Sequence, residues 1–183
     1  MAKCGIQYVR YAKMADGEKY TGGKEISKLI QFNGTPNKSS AEQWGDNGIA
    51  ESDTSTKSYS LSMELTDLAG EVYADLCGHA YDESSKKVTI KSGDVAPYVG
   101  IGAIGNSIRN NSEVFVMKFY HKVKFGDPGD DNSTETETRE FKSCTIEGKG
   151  YPKVDKTLKE EQEFATLTEA KAALDKLLEA TGG

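Results

Sequence analysis

The chain has 183 residues, 36% of them hydrophobic and 28% charged, which suits one soluble globular domain with a lean core, or one domain with an appendage. Its net charge of -6 argues against a protein that grips nucleic acid through phosphates. The longest apolar run is far short of a membrane span, and the start "MAKCGIQYVRYAK" has no h-region and no small-residue cleavage site, so no export signal is expected.

In chain order, strands are expected first at Ile6–Lys13 and Glu25–Phe32. The stretch from Asn33 to Lys57, "NGTPNKSSAEQWGDNGIAESDTSTK", is too long and polar for an ordinary connection and reads as a long functional loop. It holds the single tryptophan, Trp44, beside "GDNG". A tryptophan in such a stretch either tucks against its own domain or anchors a protein contact. "SYSLSMEL" then alternates with period two, placing Tyr59, Leu61, Met63 and Leu65 on one face and Ser58, Ser60, Ser62 and Glu64 on the other. "TDLAGEVYADLCG" predicts a helix capped by Thr66 or Asp67, with Leu68, Val72 and Leu76 on one face and Gly78 at a left-handed C-cap.

Further strands are expected at Lys87–Lys91 and Tyr98–Ile108. In "EVFVMKFYHKVKF", simple alternation puts Phe115, Met117, Phe119, Val123 and Phe125 on one face and Lys118, Tyr120, Lys122 and Lys124 on the other. The acidic stretch "GDPGDDNSTETETRE", Gly126 to Glu140, carries an Asp-Pro-Gly turn signal but no calcium-loop spacing, and reads as a solvated hairpin before a strand at Thr138–Glu147. A charged linker, "KVDKTLKEEQEF", leads to a last helix. There Thr166 and Glu169 make a capping box, and Ala170, Ala173, Leu174, Leu177 and Leu178 form an apolar stripe. Such a stripe must dock on its own domain or on a neighbouring subunit. Many strands, few helices and no βαβ alternation predict a mainly-β, α+β fold: an antiparallel sandwich or barrel with an edge helix and a C-terminal helix.

Few residues offer chemistry. Cys4, Cys77 and Cys144 are odd in number, far apart and in no C-x-x-C spacing, so neither a disulfide framework nor a zinc knuckle is expected. They read as reduced thiols of a cytoplasmically made protein. The two histidines are His79 and His121. His79 lies near Cys77 in "CGH", but that stretch reads as a helix end rather than a nucleophile and its base.

The string "GIGAIG" at residues 100–105 matches the dinucleotide fingerprint G-x-G-x-x-G, with Asp127 about where a ribose-binding acid would fall. That fingerprint needs a helix after the last glycine and a parallel crossover of a dozen or more residues. The chain instead reads "NSIRNNSEVFV", with the turn residues Asn110 and Asn111, so a hairpin fits and a crossover does not. Gly100 and Gly102 then share one strand face with Tyr98 and Ile104. They allow a bent core strand, or close packing against a ring or a neighbouring subunit. No G-x-S-x-G, H-E-x-x-H or P-loop is present, so neither an enzyme nor a cofactor is expected.

Five segments in order, "GIQYVRYAKM", "QWGDNGIAES", "LTDLAGEVYADLCGHAYDE", "DVAPYVGIGAI" and "FYHKVKFGDPGDDNSTETETREFKSCTIEGK", resemble the major tail tube proteins of long-tailed, non-contractile phages and prophages of Gram-positive bacteria. The resemblance covers roughly residues 5–149, and Ala103 departs from it, standing where much of the family has an aromatic. It implies a tube domain over residues 1–150, with 33–57 as a polymerisation loop between rings, and a C-terminal linker and helix over 151–183. It also implies hexameric rings stacked into a tube around a tape-measure protein, with distal tail and tail terminator proteins as further partners. DNA passes through unbound, no membrane is involved, and the site is the virion tail, assembled in the host cytoplasm. Under that resemblance Trp44, Asp46 and Ile49 are candidates for contact between rings. Gly100 and Gly102 are candidates for contact between subunits. Asp130, Asp131, Glu135 and Glu137 face either the lumen or outer solvent. Two rivals stand beside it: a tube protein of a contractile or tailocin-like particle, and a free β-sandwich binding module with aromatics on one exposed face.

Overall fold

Period-two alternation folds here into long antiparallel strands. The computed structural model describes residues 2–45, 48–109, 111–129 and 143–179. The strands are β1 (Ala2–Ala15), β2 (Lys19–Glu25), β3 (Leu29–Gly45), β4 (Gly48–Leu65), β5 (Ala80–Asp82), β6 (Lys87–Thr89), β7 (Val99–Arg109), β8 (Ser112–Phe125), β9 (Cys144–Tyr151) and β10 (Lys159–Phe164). The helices are α1 (Gly70–Cys77) and α2 (Leu167–Glu179). One sheet runs β2-β1-β7-β8-β9-β4-β3, with β10 added to β8, and β5 and β6 form a separate small hairpin. The result is mainly-β and sandwich-like, with two helices.

The sheet bends at β8. Residues Phe115 to Tyr120 pair with β10, whereas Lys122 to Phe125 pair with β9. Opposite β7 the register steps from Ile101↔Tyr120 to Val99↔Val123, so β8 carries an extra residue there. Such a bulge switches which side chains face which side of a strand. The simple alternation expected for "EVFVMKFYHKVKF" is therefore corrected. Met117 and Phe119 enter one core with α2, while Tyr120, Val123 and Phe125 enter the other. Tyr120, expected on the lysine face, is 2% exposed.

The first core gathers Val9, Leu61, Met63, Ile101 and Ile146 between the two halves of the bent sheet, with Leu76 and Cys77 of α1 joining it. The second lies under α2, whose Ala170, Leu174 and Leu178 pack on Ala12, Tyr20, Ile104 and Phe119. The apolar stripe of α2 is as expected, and it docks on its own domain. The Thr166 hydroxyl accepts from the Glu169 amide at 3.3 Å. Arg10 fixes the helix by donating to Asp175 at 2.6 Å and to the Gly23 carbonyl at 2.8 Å.

Several expectations are revised. The described residues of 33–57, which read as a loop, form most of a β3–β4 ribbon. The strand expected at Glu25–Phe32 is divided: β2 ends at Glu25 and β3 begins at Leu29, with Lys28 between them at a φ of 61°. The charged linker contains β10. Helix α1 starts at Gly70 after Ala69, with no side-chain cap. Thr66 and Asp67 are engaged elsewhere, Thr66 donating to the Lys28 carbonyl and Asp67 pairing with the Lys28 ammonium at 2.7 Å. Gly78 takes the expected left-handed C-cap at a φ of 82°. The strand expected from Thr138 begins, within the described residues, at Cys144.

His121 lies in the bulge between the two cores and is 5% exposed. The Tyr20 hydroxyl donates to its carbonyl at 2.9 Å and lies 3.1 Å from its Nδ1, and Nε2 is 3.0 Å from Glu160. Burial lowers its pKa, Glu160 and Asp155 pull the other way, Lys153 adds to the lowering, and the net direction is down. The unfolded chain then takes up this proton near the ordinary value of about 6.5, before the folded chain does. The stability due to neutral His121 is present above that value and is lost as pH falls through the lowered folded value. Urea unfolding across that acid range should show a steeper loss in the wild type than in His121→Gln. Parallel curves would remove His121 from the acid response.

Candidate functional site

The glycine face of β7 is filled from within. A Cβ on Gly100 would lie 2.5 Å from Tyr20 Cε1 and 3.0 Å from Phe119 Cζ. One on Gly102 would lie 2.2 Å from Leu174 Cδ1 and 3.0 Å from Phe119 Cδ2. Both glycines are buried, as is every residue from Val99 to Ile104. The close approach read from the sequence is real, but what approaches is the chain's own Tyr20, Phe119 and Leu174. Gly100 and Gly102 are thus core positions rather than subunit contacts.

The β3–β4 ribbon reaches beyond the body. Strand β4 pairs with β9 only from Tyr59 to Leu65, but its pairing with β3 continues to Gly45↔Gly48. From Lys38↔Thr56 outward the ribbon is two strands wide among the described residues. Eight residues of β3 span that part, roughly 25 Å at about 3.3 Å per residue. Asn37 pins its base by donating to Ser58 Oγ at 3.2 Å and Ser60 Oγ at 2.9 Å. Trp44 and Ile49 are register partners near its end. Asp46, and the acidic candidates Asp130, Asp131, Glu135 and Glu137, lie outside the described residues.

Strands β2, β3 and β10 each have one paired side among the described residues, and β3 is the longest of them. Where β10 rather than β9 lies beside β8, a cleft of about 860 Å³ opens between the start of β3 and strands β7, β8 and β10. Ile30, Phe32, Asn106, Lys118, Tyr120 and Glu161 are on its walls. Asn106 Oδ1 is buried there without a hydrogen-bond partner, while its Nδ2 donates to Glu113 at 2.7 Å.

At the C-terminal end of α1, the sequence pair "CGH" meets residues from distant segments. His79 is held between two carboxylates, with Nδ1 at 2.9 Å from Asp94 and Nε2 at 2.7 Å from Asp127. Hydrogen bonds from His79 to Asp94 and to Asp127 raise its pKa. Tyr73 donates to Asp127 at 3.3 Å, and the Cys77 thiol donates to the Gly126 carbonyl at 3.5 Å. Burial, with the Asp127 charge added, pushes the Cys77 thiol up to about 12. The thiol is protonated at neutral pH, unlike an activated nucleophile. Sequence reasoning had the "CGH" half of this cluster. Nothing local to Asp94 or Asp127 marks them as its other half.

No family model matches the chain, and no curated protein matches it.

The glycine packing is testable as a coupling. Gly102→Ala should destabilise by about 1–3 kcal/mol, the usual cost of overpacking a core. Leu174→Ala should cost about 2–5 kcal/mol. Because the added methyl occupies space that Leu174 vacates, the double variant should be clearly more stable than the sum predicts, as read from urea unfolding. Strict additivity would contradict the contact.

Proposed function

We propose that this chain is a self-assembling structural subunit of a phage tail tube, its hexameric rings stacking around a tape-measure protein and later passing DNA. The ordered string of segments resembling that family supports this reading. The observation that carries it furthest is the ribbon. An isolated two-stranded hairpin is marginal in water, so about 25 Å of polar ribbon beyond the body is expected to lie on another surface. A neighbouring ring supplies such a surface. The unpaired side of β3 fits the same reading, since an uncovered edge strand of this length is an association hazard in a lone monomer. Contacts of this head-to-tail kind close into rings when the rotation permits. The net charge of -6 suits a conduit that must not hold DNA.

A glycan- or peptide-binding module would want an exposed aromatic platform. Phe119 and Phe125 are buried in the two cores, so they provide none. Negative-stain electron microscopy of the concentrated protein should show rings or hollow tubes. Removing residues 38–56 and closing the ribbon with a short turn should leave the thermal midpoint nearly unchanged and abolish stacking. Tubes formed equally well by that variant would overturn the role given to the ribbon.

A further inference from the structure

We propose that Cys77, His79 and Asp127 form a binding site for a borderline-soft divalent cation, with Zn²⁺ the expected occupant. The inference is independent of the tube reading, because it rests on the end of α1 and its neighbours.

The donor set comes first. One thiol sulfur, one imidazole nitrogen and one carboxylate oxygen lie within 4.8 Å of one another. Zinc takes such S, N and O donors at about 2.0–2.3 Å, and in tetrahedral geometry those bonds separate the donors by roughly 3.3–3.8 Å. The present spacing is therefore within a small side-chain adjustment of that geometry. Nε2 of His79 and the Asp127 oxygen, now 2.7 Å apart, need to part by roughly 0.6 Å. Three protein donors leave a fourth position for water.

The backbone holds two donors in place. Gly78 turns the chain through the left-handed region, and a Cβ there would lie 2.3 Å from the Val95 carbonyl oxygen. That turn brings Cys77 and His79 to the same side. The Gly78 and His79 amides both donate to the Ala74 carbonyl, at 2.8 and 3.0 Å. Cys77 is buried and the His79 side chain is 3% exposed, so these donors are not loose surface groups.

The outer partners match what metal-bound histidines use. A ligating imidazole usually donates its other ring N–H to a carboxylate, which fixes the tautomer and the ring plane. Asp94 occupies that place on Nδ1, and its own Oδ2 accepts from the Lys91 amide at 2.9 Å. Nε2 is thereby directed at Asp127, and the Tyr73 ring packs edge-on against the imidazole with centroids 5.2 Å apart. A salt-bridged histidine clip would need the carboxylates but would have no use for a thiol beside them.

Binding replaces protons. Zn–S, Zn–N and Zn–O bonds form, and the thiol proton and the proton held between His79 and Asp127 leave to solvent. Affinity should consequently rise with pH. A bound cation would tie α1, the turn at Lys91–Asp94 and the start of the connection after β8 to one point.

Cobalt(II) is the probe, titrated into the chelator-treated full chain and then displaced by Zn²⁺. A thiolate-to-cobalt charge-transfer band should appear, and Zn²⁺ should remove it. Cys77→Ser should lose the band, while Cys144→Ser should keep it. Asp94→Asn should weaken cobalt binding about 10- to 100-fold, as loss of an outer partner does. Asp127→Asn changes a half-exposed side chain that should not be needed for folding, and it should weaken binding by roughly tenfold or more. The proposal is overturned by no band in the wild type, by a band that survives Cys77→Ser, or by unchanged affinity in both aspartate variants.

Discussion

Strand β8 has to serve two cores at once, and the rest of the architecture depends on how it does so. Phe119 points beneath α2, where it meets Tyr20 edge-on with centroids 5.5 Å apart. Its neighbour Tyr120 points the opposite way, against Phe32 and Tyr59. Strict alternation past Tyr120 would send Val123 and Phe125 to the α2 side and strip the other core of both. A one-residue slip moves every later side chain to the other face, and the extra residue between Tyr120 and Val123 supplies that slip. The same step hands β8 from β10 to β9. The bent sheet, the cleft at the seam and the buried place of His121 all follow from it.

That explains which parts of the fold could be read from the chain. Alternation in "SYSLSMEL" and the stripe of α2 are strong periodic signals, and both are realised. A bulge has no such signature here: "KFYHKVKF" contains no glycine or proline, and its apolar residues fit either parity. Strand β10 was hidden because "KEEQEF" is polar in every position but the last, and it becomes a strand only through pairing with β8. The start of α1 was displaced because Lys28, just before the neighbouring strand β3, claims both Thr66 and Asp67. Polar composition made the ribbon read as a loop, since a stretch this polar carries no apolar–polar alternation.

The candidate site shows the same limit. Sequence reasoning left Gly100 and Gly102 between a bent core strand and a close approach by a ring or a neighbouring subunit. It could not say what fills that space, because Leu174 arrives from the other end of the chain. The Cys77–His79–Asp127 cluster is likewise half local and half remote. The local half alone reads as a helix end, which it also is.

On the proposed tube reading, stability and assembly fall to different parts of the molecule. Among the described side chains of the outer ribbon, Lys38, Ser39 and Ser55 to Lys57, none belongs to either core. A polar ribbon gains little from burying side chains on itself, and its edges still carry backbone donors and acceptors. On that proposed reading, a neighbouring ring is then recognised mainly through those groups and through shape. Such contacts are directional and fix register, as a repeating assembly of identical subunits requires. An apolar ribbon would bind more strongly but would also pair with copies in the wrong orientation. On the proposed tube reading, the serine and threonine content that made the ribbon read as a loop has a physical use: it keeps a long strand pair soluble until a neighbouring ring covers it.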